Sequence, residues 1–265
     1  MNAFPKSKPP AWETSGVSPV SRPSFVTRLF LAIVAWAERL NCKCAVLEER
    51  PIHDNRSFPW SEAIERDWRV IRDELENVLQ RKNDLPYMQD IAPDAASITN
   101  DPGWRVFLLV AYGVKSEPNI QMCPDTWRIV SRIPGLKTAL FSILEPGKRL
   151  PPHRGPYNGV LRLHLGLIVP FPGHDVAMRV DSQICHWQEG RVLIFDDAYE
   201  HEVWNDTDRI RVVLFVDFVK PLRFPARWLN RALLKLAMLT PYIREGHENL
   251  RSWERKFYGS AMARR

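Results

Sequence analysis

Three histidines lie in two segments whose residue types could support metal chemistry. His153 and His164 belong to PPHRGPYNGVLRLHLG, residues 151–166, and His201 belongs to LIFDDAYEHEVWN, residues 193–205. Neutral imidazoles carried by separate strands are common ligands of transition metals. We therefore interpret His153 and His201 as a candidate two-histidine metal site. The alternative is that both are hydrogen-bonded structural side chains.

A non-haem iron site usually combines two histidines with one carboxylate, which here would be expected two residues after the first histidine. Gly155 occupies that position, and glycine has no side chain that could coordinate iron. The spacing of these residues alone therefore does not favour an iron oxygenase.

Alternation along the strand-like segments predicts which way their side chains face. In 159–169 one face consists of leucines and belongs to the core, whereas the other carries Arg162 and His164 and faces solvent or a polar cavity. In 209–218 both faces around Arg211 are mostly apolar, so we expect its guanidinium in an enclosed space. A buried arginine is costly unless an anion meets it. That anion is either the partner in a structural salt bridge or part of a ligand.

The elements that must position these residues are mainly strands. Residues 104–112 predict one strand, and seven more short strands with turns between them are predicted at 138–144, 159–169, 176–180, 184–188, 191–195, 202–205 and 209–219. This density favours a β-sandwich or barrel. Helical periodicity is predicted for 24–40, for 59–81, for a short segment after Pro124 and for 225–241, where Pro241 ends the pattern.

The composition is typical of a globular protein, with 45% hydrophobic and 26% charged residues in 265 positions. It contains no apolar run of the ~20 residues that a membrane-spanning helix needs, and its first residues do not resemble a secretion leader. The four cysteines form no C-x-x-C pair, which is typical of reduced thiols in a cytoplasmic protein.

Basic residues concentrate at the C-terminal end. From Lys220 onward the chain has eleven Lys and Arg against three Asp and Glu, and Arg227, Arg231 and Lys235 repeat every four residues on a predicted helix. This pattern indicates either an amphipathic helix packed on the core with a solvated face, or a helix lying on an anionic membrane surface. Nucleic acid is not expected as a partner, because no basic and aromatic binding module is present.

Two long segments, PHRGPYNGVLRLHLGLIVP and VLIFDDAYEHEVWNDTDRIRVVLFVD, resemble the aspartyl/asparaginyl β-hydroxylase family of iron(II)- and 2-oxoglutarate-dependent oxygenases. The resemblance implies a mainly β fold class, a double-stranded β-helix (jelly-roll) core with flanking N- and C-terminal helices. The expected organisation is a disordered segment over 1–23, a helical region packing on the core over 24–103, the oxygenase domain over 104–219 and a basic amphipathic helical region over 220–265.

The resemblance also implies ligands for the metal. His153 and His201 match the two histidines that hold Fe(II) in the peptide-hydroxylase branch of the family. In that branch glycine stands where the carboxylate would be, as Gly155 does here, and water takes the vacant position. Asp197 would lie close to the iron and accept a hydrogen bond from a bound water.

The cosubstrates implied by the resemblance are 2-oxoglutarate and O2. Ser142 and Arg211 would bind the distal carboxylate of 2-oxoglutarate, and His164 would contact the carboxylate next to the keto group. Arg162 matches a position that lies near the substrate in the peptide hydroxylases.

Two departures from the peptide hydroxylases concern the substrate. Val160 stands where those enzymes have a second arginine, and the chain shows no helical repeats upstream of the oxygenase segment. Compact length and the segment DFVKPLRFPARWLNR resemble instead the bacterial branch that hydroxylates acyl chains of ornithine lipid and lipid A. We therefore expect a hydroxylase of a polar lipid of the ornithine-lipid type, cytoplasmic and peripheral on the inner face of a membrane. The alternatives are hydroxylation of an aspartyl or asparaginyl side chain or a free amino acid, and a non-catalytic module that binds a lipid or a protein.

Overall fold

The structure is a computed structural model that describes residues 25–170, 175–238 and 240–262. The predicted disordered segment 1–23 lies outside these residues. The strands, in chain order, are β1 Ile52–His53, β2 Trp104–Ala111, β3 Val114–Lys115, β4 Leu136–Leu144, β5 Arg149–His153, β6 Val160–Ile168, β7 Val176–Val180, β8 Gln183–Cys185, β9 Val192–Phe195, β10 His201–Asn205 and β11 Arg211–Val219. The α-helices are α1 Phe25–Lys43, α2 Ser61–Arg66, α3 Trp68–Leu79, α4 Met88–Ile91, α5 Glu117–Met122, α6 Pro124–Val130, α7 Ala226–Ala237 and α8 Pro241–Met262.

The strands form two antiparallel sheets that face each other. The large sheet has the order β1-β9-β6-β11-β4-β2-β3, and the small sheet has the order β5-β10-β7-β8. Side chains from both sheets, among them Leu140 and Val213 of the large sheet and Met178 and Val203 of the small one, belong to one buried cluster. Two facing antiparallel sheets with these crossovers are a jelly roll, so the predicted fold class is confirmed.

The large sheet is buried on both faces. Leu161, Leu163 and Leu165 of β6 point outward into a second buried cluster, whereas His164 points into the space between the sheets, as the alternation predicts. Along β11, Leu214 is in the outer cluster and Phe215 is in the inner one. Sequence alternation therefore separates the packing side of each central strand from the side available for chemistry.

Helices cover the outer face of the large sheet. Ile71 and Leu75 of α3, Ile129 of α6 and Phe257 of α8 belong to the outer cluster together with the leucines of β6. The carboxylate of Glu74 on α3 accepts hydrogen bonds from the first backbone N–H groups of α6, at 2.9 and 2.7 Å, which satisfies donors that a helix start leaves free. Within the described ranges, no helix combines the length and apolarity needed to cross a bilayer.

Three local predictions differ from the structure. The helix expected over 59–81 is divided at Asp67 into α2 and α3. Helix α7 ends at Ala237, before Pro241 as expected, but the helical region continues, because Pro241 occupies the first turn of α8, where its missing N–H costs nothing. The strand expected over 184–188 is limited to Gln183–Cys185.

Candidate active site

The two histidines of the candidate metal site are partners on neighbouring strands. His153 ends β5, His201 begins β10, and the two residues are directly paired in the antiparallel register. Their ring centroids are 4.2 Å apart. His201 is buried and His153 is half-buried. The small sheet therefore brings together two imidazoles that are far apart in the sequence.

Hydrogen bonds fix the tautomer of both rings. Nδ1 of His153 lies 2.7 Å from the carbonyl oxygen of Pro151, and Nδ1 of His201 lies 2.9 Å from that of Tyr199. A carbonyl oxygen only accepts, so each Nδ1 carries the proton and each Nε2 keeps its lone pair. Burial lowers the pKa of both histidines, that of His201 well below its usual value. Both rings are therefore neutral and have the form that ligates a metal.

Asp197 fills the space next to Gly155. A Cβ atom at residue 155 would lie 2.3 Å from Oδ2 of Asp197, closer than any real contact, and the Gly155 N–H donates to the Asp197 carbonyl oxygen at 2.7 Å. The side chain of Asp197 is buried, and its Oδ1 has no hydrogen-bond partner in the part of the chain that the structure describes. Burial raises the pKa of Asp197 to about 7, although the charge of Arg162 acts in the opposite direction. A carboxylate at 155 and the carboxylate of Asp197 would therefore compete for one place.

Arg162 is held by two carboxylates. Its Nε lies 2.8 Å from Oδ1 of Asp217 and its Nη2 lies 2.9 Å from Oδ2 of Asp197, while the guanidinium stacks over the ring of Phe215 at 4.2 Å. Asp217 is paired with Arg162 across the strands β11 and β6. Arg162 lies on the histidine side of the site, because its partner Asp197 is hydrogen-bonded through its carbonyl oxygen to Gly155, two residues after His153.

Among the residues that the structure describes, none forms an ion pair with the buried Arg211. This residue is 2% exposed, its Nε has no hydrogen-bond partner within the described ranges, and its one hydrogen bond there is a long one of 3.4 Å to the carbonyl oxygen of Ser142. Burial lowers the pKa of Arg211 to about 9. The guanidinium lies over the ring of Trp187, at 4.7 Å from its centroid. A cation in this environment is set up to meet an anion from outside the chain.

Ser142 and His164 add donors near Arg211. The hydroxyl of Ser142 accepts a 3.0 Å hydrogen bond from the indole N–H of Trp104, which leaves its own hydrogen available for an acceptor. Trp187 donates its indole N–H to Nδ1 of His164 at 3.3 Å, so neutral His164 carries its proton on Nε2. That Nε2 is buried and has no partner.

The predicted site residues divide into one internal group and one surface group. Phe195 links the internal group, because its ring is 5.7 Å from that of His201 and 5.1 Å from that of His164. The residues that the jelly roll collects between its sheets are Ser142, His153, Arg162, His164, Asp197, His201 and Arg211. Arg227, Arg231 and Lys235 lie elsewhere, on the exposed face of α7.

Two residues of the site were not identified from the sequence. Asp217 follows the same alternation as Arg211, Val213 and Phe215, so its inward direction could have been recognised. Trp187 lies in the segment 184–188 that was expected to be a strand, but in the structure it follows the end of β8 at Cys185. In the described part of the chain, no three side chains of His, Cys, Asp or Glu are grouped so that they could hold a metal ion.

The chain is similar to several known proteins. It is 60% identical over 250 residues to the ornithine lipid ester-linked acyl 2-hydroxylase of Rhizobium tropici, with 94% of this chain and 89% of that protein covered. It is 34% identical over 164 residues to the human aspartyl/asparaginyl β-hydroxylase, which covers 60% of this chain and 21% of the human one. A Pseudomonas putida prolyl-4-hydroxylase structure overlaps loosely, with 17% identity, a TM-score of 0.38 and coverage of 58% of this chain and 87% of that one.

A family model also matches most of the site. The model described as aspartyl/asparaginyl β-hydroxylase matches residues 65–221, more than half of the chain, and includes every residue of the internal group. The predicted family is thereby confirmed. This chain belongs to the aspartyl/asparaginyl β-hydroxylase family.

Proposed function

We propose that the chain is an iron(II)- and 2-oxoglutarate-dependent hydroxylase that acts on an acyl chain of a polar membrane lipid of the ornithine-lipid type. The observation that carries the cosubstrate is the buried guanidinium of Arg211, which has no ion pair among the described residues and lies between the same two sheets as two neutral, paired histidines. The observation that carries the substrate is the similarity to an ornithine lipid hydroxylase over nearly the whole chain.

The residues present fit an iron(II) ion. His153 and His201 would hold it through Nε2, because each Nδ1 is already bonded to a backbone carbonyl oxygen. Asp197, with a buried and unpartnered Oδ1, is suited to orient a water molecule on the metal. When bound, iron(II) would activate O2, which oxidises 2-oxoglutarate to succinate and CO2 and the substrate C–H group to an alcohol.

The side chains around Arg211 are suited to a dicarboxylate. Arg211 and Ser142 would bind its distal carboxylate, with the guanidinium fork giving two parallel hydrogen bonds. His164 would donate from Nε2 to the carboxylate beside the keto group. Trp187 supports both residues, since it packs against the guanidinium and fixes the tautomer of His164. The two carboxylates would thus satisfy polar atoms that are otherwise buried without partners.

The surroundings of Arg162 favour an uncharged substrate group. The charge of Arg162 is met by Asp197 and Asp217, and the neighbouring inward position lacks a second cation because Val160 is apolar and buried. A substrate carboxylate would have to compete with two fixed carboxylates for one guanidinium, which disfavours an aspartyl side chain. An acyl chain requires no such partner. We also propose that the protein works in the cytoplasm at the inner face of a membrane.

The test is a turnover assay with competing substrates. Purified protein with iron(II), ascorbate and 2-oxoglutarate would receive ornithine lipid, lipid A, free aspartate or an aspartate-containing peptide. Succinate release and a product heavier by one oxygen atom would be measured. We expect turnover with ornithine lipid and its loss in His201→Ala.

Each outcome discriminates between the candidate functions. Turnover with the peptide or aspartate but with neither lipid would assign the chain to amino-acid hydroxylation. Binding of ornithine lipid without succinate release by iron-loaded protein would indicate a non-catalytic module. Unchanged turnover in His201→Ala would reject the metal site.

A further inference from the structure

The exposed face of α7 combines basic and apolar side chains. Ala226, Asn230 and Leu234 point into the protein at helical spacing and are buried. The opposite face carries one row of basic residues and one row with Trp228 and Leu236, which are each 59% exposed. Phe224, just before the helix, is 73% exposed. We define the lipid-facing patch as Phe224, Arg227, Trp228, Arg231, Lys235 and Leu236.

The charge of this patch is of one sign. No Asp or Glu occurs between Lys220 and Thr240. Helix α8 differs, because its exposed basic residues Arg251 and Arg255 are accompanied by Glu248 and Glu254. Exposed aromatic and aliphatic side chains beside unpaired basic ones match the composition of helices that lie in an anionic membrane interface.

Helix α1 extends the exposed apolar area. Leu31, Ile33 and Trp36 are 44%, 41% and 54% exposed. The end of α1 meets the start of α7, where Ala45 and Leu222 form a β-bridge and pack in one small buried cluster with Ala226. The two helices are therefore joined, and each presents apolar side chains to the outside.

Both helices are attached to the loop that leaves the histidine site. This loop, residues 154–159, connects β5, which ends at His153, to β6. Asn41 of α1 donates a 2.9 Å hydrogen bond to Oδ1 of Asn158, and Asn230 of α7 donates a 2.8 Å hydrogen bond to the carbonyl oxygen of Gly159. The surface formed by α1 and α7 is therefore connected by hydrogen bonds to the loop that follows His153.

We propose that the lipid-facing patch, extended by Leu31 and Trp36 of α1, is a docking surface for an anionic phospholipid bilayer. The inference rests on the proposed function, because it explains how an enzyme that acts on a bilayer lipid meets its substrate. Charge complementarity selects the bilayer surface: the basic row faces the phosphate groups while Phe224 and Trp228 enter the interface.

Vesicle sedimentation tests the docking surface without any turnover. The full chain would be mixed with vesicles of phosphatidylcholine alone or with phosphatidylglycerol added, neither of which contains ornithine lipid. We expect binding that needs phosphatidylglycerol and weakens in high salt. Neutralising the basic row (Arg227→Gln, Arg231→Gln, Lys235→Gln) should weaken partitioning about 100-fold, since each basic residue near such a surface contributes about fivefold. Phe224→Ser with Trp228→Ser should weaken it further.

A matched variant controls for net charge. Arg251→Gln, Arg255→Gln and Lys256→Gln remove the same charge from the exposed face of α8 and should leave partitioning within about twofold of wild type. His201→Ala should bind vesicles like wild type, because the patch lies outside the cavity. Circular dichroism confirms that each variant is folded.

Three results would overturn the inference. Equal loss of binding in the α7 and α8 variants would indicate a non-specific charge effect. Equal binding to both vesicle types would remove the role of the basic row. Concentration-dependent dimerisation that is abolished by Phe224→Ser with Trp228→Ser would assign the surface to a second copy of the chain. Turnover of ornithine lipid presented in detergent micelles tests the proposed function separately.

Discussion

Replacing Gly155 with alanine should destabilise the protein through a single neighbour. The three heavy atoms nearest to the added Cβ would all belong to the carboxyl group of Asp197, at 2.3, 2.6 and 2.9 Å. Asp197 cannot simply rotate away, because it is buried and its Oδ2 is paired with Arg162 at 2.9 Å. The substitution therefore forces an overpacked contact and lengthens an ion pair.

The expected loss of unfolding free energy follows from the overpacked contact and the lengthened ion pair. Inserting a methyl group into a packed interior costs about 1–3 kcal/mol. Displacing the carboxylate from Arg162 adds less than the full loss of a buried pair, since Asp217 still holds the guanidinium. We expect Gly155→Ala to lower the free energy of unfolding by about 2–3 kcal/mol.

A double-mutant cycle with Asp197→Ala isolates the contact. Urea denaturation of metal-free protein would be measured for wild type, both single variants and the double variant. In the Asp197→Ala background the added methyl group has no carboxyl group to meet, so its cost should fall below about 0.5 kcal/mol. The coupling free energy between the two positions should then exceed about 1.5 kcal/mol.

Gly259→Ala is the matched control for the methyl group. Gly259 lies in α8, and nothing lies within 4 Å of an added Cβ there, so alanine should leave stability unchanged or raise it by up to about 1 kcal/mol. Two results would refute steric competition between positions 155 and 197. The first is a Gly155→Ala variant as stable as wild type. The second is an equal loss of unfolding free energy for Gly155→Ala in the wild-type and Asp197→Ala backgrounds.

Three further predictions concern the cavity and the core. Arg211→Met should weaken 2-oxoglutarate binding about 100-fold, as measured by calorimetry. It should also raise the melting temperature, because a buried charge without an ion pair is removed. A lower melting temperature would contradict the absence of an internal partner for Arg211. Trp187→Phe should weaken 2-oxoglutarate binding by about 2–10-fold, since His164 loses its indole hydrogen-bond donor while an aromatic ring remains at residue 187. Unchanged affinity would show that Trp187 does not contribute to the site. Leu163→Ala should lower the free energy of unfolding, measured by urea denaturation, by about 2–5 kcal/mol. It should not change the affinity for 2-oxoglutarate, because this side chain packs on the outer face of the large sheet. A loss of affinity would show that the two faces of that sheet are coupled.

The inward and outward sides of the central strands could be predicted because alternation is a property of the backbone. The period of two separates His164 from its leucine neighbours and encloses Arg211 without any knowledge of the partner strands. Asp217 shows the limit of this approach. Its alternation gives the direction of its side chain, but its role depends on being paired with Arg162, and that pairing exists only in the folded register.

Strand β5 was not predicted, and helix α8 was predicted only as part of the helical region 220–265, both for local reasons. Strand β5 contains Pro151 and Pro152, which argue against a central strand, but β5 lies at the edge of the small sheet where unpaired backbone is tolerated. Helix α8 contains Gly246 and Gly259, and its stability comes from tertiary packing through Leu250 and Phe257 rather than from helix propensity. Sequence patterns describe single segments, whereas both of these elements depend on neighbours.

The double burial of the large sheet limits how this protein can be divided. The leucines of β6 and Leu214 of β11 are covered by α3 and α8, which come from the two ends of the chain, and by α6, which follows β3. Residues 104–219 expressed alone would lack α3 and α8 and present part of this apolar face to water, and such a fragment is expected to aggregate. The smallest transferable part of the molecule is therefore the jelly roll together with its helical cover. Chimeras that exchange substrate preference should recombine the surface helix α7 and the loop 154–159 while leaving that cover intact.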